Sequence, residues 1–187
     1  MPFPTLPAPI ARALDDRGYA EPTPVQAAVL DASGGGRDLL VSAQTGSGKT
    51  VAYGLAMASM LIGDADHLPP PAAPLALVIA PTRELALQVQ RELSWLYGPA
   101  GGRVAACVGG MDPRREARRL AEGSQIVVGT PGRLRDHLER RSLNLSTLRA
   151  VVLDEADEML DLGFREDIEF ILSATPQERS THLFSAP

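Results

Sequence analysis

The 187-residue sequence holds a single cysteine, a single lysine and few aromatic rings, and it has no long apolar run. Each scarcity excludes something. One cysteine, Cys107, cannot form an intramolecular disulfide, so nothing staples the fold and a reducing, cytoplasmic setting is expected. Runs such as Leu75–Ala80 are far too short to cross a bilayer, so no membrane partner is expected. Met1-Pro2-Phe3-Pro4 opens with no basic segment and no long apolar stretch, which argues against a secretory signal. Aromatics make up 4% of a chain that is 44% hydrophobic, so the core must be packed mainly from Ala, Val, Leu and Ile. A formal net charge of −5 excludes a polyanion binder held by bulk positive potential. Any such grip must come from a few local donors.

Short β-branched apolar segments alternate with helical patterns from Asp38 onward. The strand candidates are Leu39–Ser42, Leu75–Ala80, Val104–Val108, Ile126–Val128, Val151–Leu153 and His182–Ser185. Helices are expected from near Lys49, Arg83, Pro113, Pro131 and Phe164, with a helical preamble over residues 8–17 and Thr23–Leu30. Alternation of this kind predicts one α/β domain: a mostly parallel central sheet, apolar on both faces, with helices covering each. Residues 1–37 lead into the sheet over 38–187, and the two form one globular unit. Gly34-Gly35-Gly36 reads as a turn, and the proline-rich residues 64–74 as a surface connection. Active sites in such sheets gather at the carboxyl ends of the strands.

Of the 18 basic residues, 17 are arginine, and the exception is Lys49 in Ala43-Gln44-Thr45-Gly46-Ser47-Gly48-Lys49-Thr50. This segment follows a strand and opens a helix. Gly46 and Gly48 free the backbone to turn its N–H groups toward one anion, and the helix start adds its dipole. A compact ammonium suits a crowded phosphate cradle better than a planar guanidinium. Lys49 is placed to neutralise β/γ-phosphate charge, and the Thr50 hydroxyl to ligate Mg²⁺. Ala43 stands where the strict pattern has its first glycine. Three carboxylates follow another strand in Asp154-Glu155-Ala156-Asp157, with Asp154 placed to hold Mg²⁺ through water and Glu155 to orient an attacking water. Taken alone, that segment reads equally well as a solvated acidic turn capping a helix.

Together these motifs resemble the DEAD-box family of superfamily 2 RNA helicases, over nearly the whole chain, and within it the heat-resistant RNA-dependent ATPase subgroup. The resemblance implies a RecA-like P-loop domain, ATP and Mg²⁺ as ligands, RNA as partner, and catalytic roles for Lys49, Asp154 and Glu155. Gly18 to Gln26 is similar to the family's adenine-reading Q motif, which points to Thr23 and Gln26, with Phe3 or Tyr19 stacking on the base. Thr23-Pro24-Val25-Gln26 also reads as a helix capping box, and the two roles are compatible.

Pro81-Thr82-Arg83, Gly109-Gly110 and Thr130-Pro131-Gly132-Arg133 resemble the family's RNA-contacting elements. Each follows a strand; Thr82 and Thr130 are expected to cap helices whose free N–H groups bind phosphates, and Arg83 and Arg133 to add charge-assisted bonds. Such contacts carry no base code, so RNA recognition is expected to be sequence-independent. Arg114, Arg115, Arg118 and Arg119 form a charge run that reads first as a solvated face diluted by Glu116 and Glu122. None of the histidines His67, His137 and His182 forms a ligand-type cluster with Cys107 and acidic residues in the sequence, so no zinc site is expected. Ser185 and Ala186 match the family's coupling motif, with Pro187 in place of its threonine, and Ser185 is expected to bond Asp157. The family's second RecA-like domain, which supplies arginine fingers, has no counterpart here. The resemblance therefore implies nucleotide binding, with poor affinity for RNA and little turnover, by this chain alone. Two other readings stay open: an RNA clamp that never turns over, and a DNA translocase.

Overall fold

A computed structural model describes Met1–Pro187. Six strands form one sheet in the order β1-β6-β5-β2-β4-β3, and every pair is parallel. They are β1 (Leu39–Ser42), β2 (Ala76–Ile79), β3 (Val104–Cys107), β4 (Ile126–Gly129), β5 (Ala150–Asp154) and β6 (Ser180–Ser185). All six strand candidates are present, with ends shifted by up to two residues. The sheet is wholly rather than mostly parallel.

The helices are α1 (Ala8–Asp16), α2 (Pro24–Ala32), α3 (Lys49–Ile62), α4 (Arg83–Tyr97), α5 (Pro113–Glu122), α6 (Pro131–Glu139), α7 (Ala156–Asp161) and α8 (Arg165–Ser173). The short α7 was expected only as the helix that the acidic turn would cap, and a single 3₁₀ turn at Gly98–Ala100 was not expected. Both are too brief to show a repeat in the apolar pattern.

Strand alternation divides the core between the two faces. Ala76, Val78, Ile126, Val128, Ala150 and Val152 point to the face covered by α3 and α4. Leu77, Ile79, Val127, Val151 and Leu153 point to the other, where Leu134 of α6 and Ile168 and Ile171 of α8 pack. Fully burying one such side chain contributes about 1.5–3 kcal/mol. α3 is buried nearly all round, which its run of Val, Ala, Tyr, Leu and Met allows. The preamble is part of this unit: Ile10, Ala13 and Leu14 of α1 and Val29 of α2 join the larger core.

The topology sorts the motifs. β6 alone separates β1 from β5, so the Gly-rich loop after Ser42 and the acidic segment after Leu153 emerge side by side. The loops after β2, β4 and β3 emerge from the other half of the same edge.

Candidate active site and adjoining loops

Gly46 and Gly48 adopt φ of 79° and 87°, the left-handed region glycine enters without strain. Gly48 is the N-cap of α3, so Lys49 and Thr50 begin its first turn. Ser47 folds the loop on itself, its Oγ donating to the Gln44 carbonyl at 2.6 Å. The Lys49 ammonium lies only 2.7 Å from Glu155 Oε1, and both side chains are largely buried. One cavity joins Thr45, Gly46, Gly48, Lys49 and Thr50 to Asp154 and Glu155.

Asp154 is 2% exposed at the end of β5. Its Oδ2 accepts the Tyr53 hydroxyl at 3.0 Å, while Oδ1 is buried with no partner at all. Burial pushes this carboxyl up to about 6, against the opposing effects of the Tyr53 hydrogen bond and Lys49. A buried carboxylate oxygen left unpaired beside a phosphate-type loop fits a hydrated divalent cation held by Asp154, with the Thr50 hydroxyl on the facing helix turn. Glu155 has φ 49°, one of two non-glycine residues with positive φ. Sparsely populated backbone of this kind costs of order 1–3 kcal/mol and clusters where a side chain must be aimed.

The capping box at Thr23 is complete: Thr23 Oγ1 accepts from Gln26 N, and Gln26 Oε1 accepts from Thr23 N at 3.0 Å. The same side chains also grip the loop. Thr23 Oγ1 donates to the Ser47 carbonyl at 2.9 Å, and Gln26 Nε2 to the Gly48 carbonyl at 3.3 Å. A Cβ at position 48 would come within 2.6 Å of Gln26 Nε2, so glycine is needed there for approach as well as for φ. Phe3 packs against the larger core. The Tyr19 ring lies 5.7 Å from that of Trp95 on α4, so one of its faces is already covered.

The other loops differ. Thr82 caps α4, its Oγ1 accepting from Leu85 N at 3.2 Å. Thr130 occupies the N-cap of α6 but makes no side-chain capping bond, contrary to expectation; Pro131 presets the first turn instead. Arg83 reaches back over Gly109-Gly110, donating to the Gly109 carbonyl at 3.4 Å. Arg133 is not a free donor: it bonds the Met111 carbonyl at 3.1 Å and Glu116 Oε1 at 3.0 Å. Glu116 is correspondingly no surface charge. It is 4% exposed, and it also accepts Val108 N at 2.9 Å and meets His137 Nε2 at 2.8 Å. Burial would raise its carboxyl, but His137, Val108 N–H and Arg133 together hold it below the usual range. Cys107, Glu116 and His137 thus converge within 4.8 Å, a cluster their sequence spacing hid. Three protein donors already satisfy the carboxylate. Ser185 and Asp157 form no hydrogen bond; Asp157 faces solvent, and the Ser185 carbonyl accepts from Ala43 N at 3.1 Å.

Tyr53, Glu116 and the cavity-lining pair Gln88 and Glu92 on α4 escaped the sequence reading. A tyrosine amid apolar helix residues gave no signal of its role. Glu116 looked like one more charge in a charge run.

A family model described as DEAD/DEAH box helicase matches residues 23–187. The chain belongs to the DEAD/DEAH box helicase family. It is 47% identical over 177 residues to the ATP-dependent RNA helicase CshA of Listeria monocytogenes, covering 95% of this chain and 33% of that protein. Identity to the ATP-dependent RNA helicase DeaD of Escherichia coli K12 is 49% over 182 residues, covering 97% of this chain and 28% of that one. The crystal structure of a DEAD box protein from the hyperthermophile Methanococcus jannaschii superposes with a TM-score of 0.87 at 34% identity, covering 98% of this chain and 49% of that one. The chain thus spans about a third of these relatives' length and about half of the solved protein. The fold is the RecA-like one expected for a DEAD/DEAH box domain. No helix is long and apolar enough to cross a membrane.

Proposed function

We propose that this chain is the ATP-binding half of an ATP-dependent RNA helicase. One observation carries the reading: the only lysine in the chain, buried at a helix start behind Gly46 and Gly48, is held 2.7 Å from Glu155 beside the unpartnered Oδ1 of Asp154. A nucleotide's terminal phosphates replace Glu155 as the counter-ion of Lys49. That exchange frees the Glu155 carboxylate to orient a water and take up its proton. The water attacks the γ-phosphorus, the bond to the β–γ bridging oxygen breaks, and ADP and inorganic phosphate are the products. Asp154, through water, and the Thr50 hydroxyl would hold Mg²⁺, which when bound would neutralise phosphate charge. Gln26 turns its amide to the adenine edge, with Phe3 or Tyr19 beside the ring.

On the RNA side, the caps after β2 and β4 and the Gly109-Gly110 turn offer backbone N–H groups to phosphates. RNA phosphates are therefore bound without a sequence code, in keeping with a net charge of −5. Asp157, Ser185 and Ala186 carry the coupling between the two sites, with Asp157 and Ser185 not bonded to each other in this chain alone. A second RecA-like domain on a longer chain completes both sites, since no free arginine of this chain lines the phosphate cavity. Steady-state ATPase assays with and without RNA test this division. Nucleotide binding with little turnover is expected of this chain alone, and RNA-stimulated turnover by the chain alone would overturn it.

A further inference from the structure

The outer face of α5 carries a charge excess that the loops described above do not use. At about 100° per residue, Arg114, Arg115, Arg118 and Arg119 fall within an arc of about 140° that leaves out the side on which Glu116 is buried. All four are exposed, and none takes part in any ion pair of the structure. Arg115, Arg118 and Arg119 line one shallow depression with Asp112 and Glu122. The Asp112 carboxylate is spent on the helix end, accepting Arg114 N at 3.0 Å. Arg119 also lines a second depression with Arg103 at the sheet edge. In a chain of net charge −5, four guanidiniums without an ion-pair partner, against the two carboxylates of Asp112 and Glu122, leave this face net positive.

The face is continuous with the RNA loops. α5 begins three residues after Gly110, and Arg83 lies over Gly109-Gly110 at its entrance. Glu116 ties α5 to that same loop through Val108 N and to the β4–α6 loop through Arg133.

We infer that α5 extends the RNA track, gripping phosphodiesters of single-stranded RNA beyond the three strand-end loops. This rests on the RNA reading above. Guanidiniums bind phosphate oxygens bidentately and independently of base, and each engaged phosphate releases counter-ions.

The test is the salt dependence of binding to a labelled mixed-sequence single-stranded RNA. It compares the chain, the quadruple variant R114Q/R115Q/R118Q/R119Q and the charge-preserving quadruple Arg→Lys variant. The slope of log affinity against log salt is expected to fall by about 0.7 for each engaged arginine, hence by about 2 or more in the glutamine variant. The lysine variant retains most of the slope. Adenine nucleotide affinity and the unfolding midpoint stay unchanged in both. RNA binding by all three with one common slope overturns the α5 surface and leaves the RNA reading standing. Absence of RNA binding by the unaltered chain overturns the α5 surface, while the RNA reading then rests on the longer chain that completes the site.

Discussion

The two halves of the strand-end edge are built on different principles. At β1 and β5 the groups that meet are few, close and charged: one ammonium, two carboxylates and a glycine-freed backbone. Their identities are those that the proposed phosphate and cation require, so a short motif displays nearly all of them. At β2, β3 and β4 the proposed RNA contacts are backbone amides, which any residue but proline supplies. What is specific there is the scaffold: Glu116, Arg133 and His137, three charged or polar side chains turned inward to lock two loops together. A ligand-shaped site is written in contiguous residues. A scaffold-shaped site is written in residues distant in the chain.

If that contrast is right, substitutions on each side fail in different ways. The largest effect belongs to the scaffold. Glu116→Ala leaves Arg133, His137 and Val108 N–H without their shared acceptor, a loss of about 3–5 kcal/mol in denaturant unfolding. A shift within error of zero would show that water replaces the carboxylate freely. Next is Lys49→Ala, which removes the phosphate's charged partner and weakens nucleotide binding by about 100-fold or more while the fold survives. Calorimetric titration reads it.

Smaller still is Tyr53→Phe. Asp154 loses its one side-chain hydrogen bond, a change of about 1 kcal/mol, so Mg²⁺-nucleotide affinity should move a few-fold, with little change in the affinity for nucleotide without metal. Equal shifts with and without Mg²⁺ would place Tyr53 in packing alone.

The smallest is a pH effect at His182, buried in β6 with neither ring nitrogen bonded. Burial holds its folded pKa below the usual 6.5, with Asp38 opposing. The unfolded chain therefore binds the extra proton first, and stability is lost as pH falls through the ordinary histidine range. His182→Leu should flatten the unfolding midpoint between about pH 7 and 5. An undiminished slope would assign the dependence elsewhere.

How much of this was readable from the residues follows the same divide. Strand positions were legible because both faces of a parallel sheet are apolar, and their ends slipped because hydrogen-bond register has no compositional mark. The Gly46–Thr50 loop and Asp154-Glu155 were legible from chemistry at fixed spacing. Thr23 and Gln26 showed two roles, and the structure has them capping α2 and gripping the loop at once. Glu116 was misread because exposure cannot be inferred from charge when the partner lies 17 or 21 residues away. Arg133 was read as an outward donor for the same reason. Tyr53 was hidden because a lone hydroxyl inside an apolar helix looks like packing until the facing strand is known.

The most direct measurement is calorimetric titration of the chain with Mg²⁺-ADP, alongside Lys49→Ala and Glu155→Gln. If phosphate takes over Lys49 from Glu155, the unaltered chain binds, Glu155→Gln binds at least as tightly because its competing carboxylate is gone, and Lys49→Ala binds far more weakly. Binding that is absent from the unaltered chain, or equal with and without Lys49, would contradict the exchange on which the nucleotide site depends.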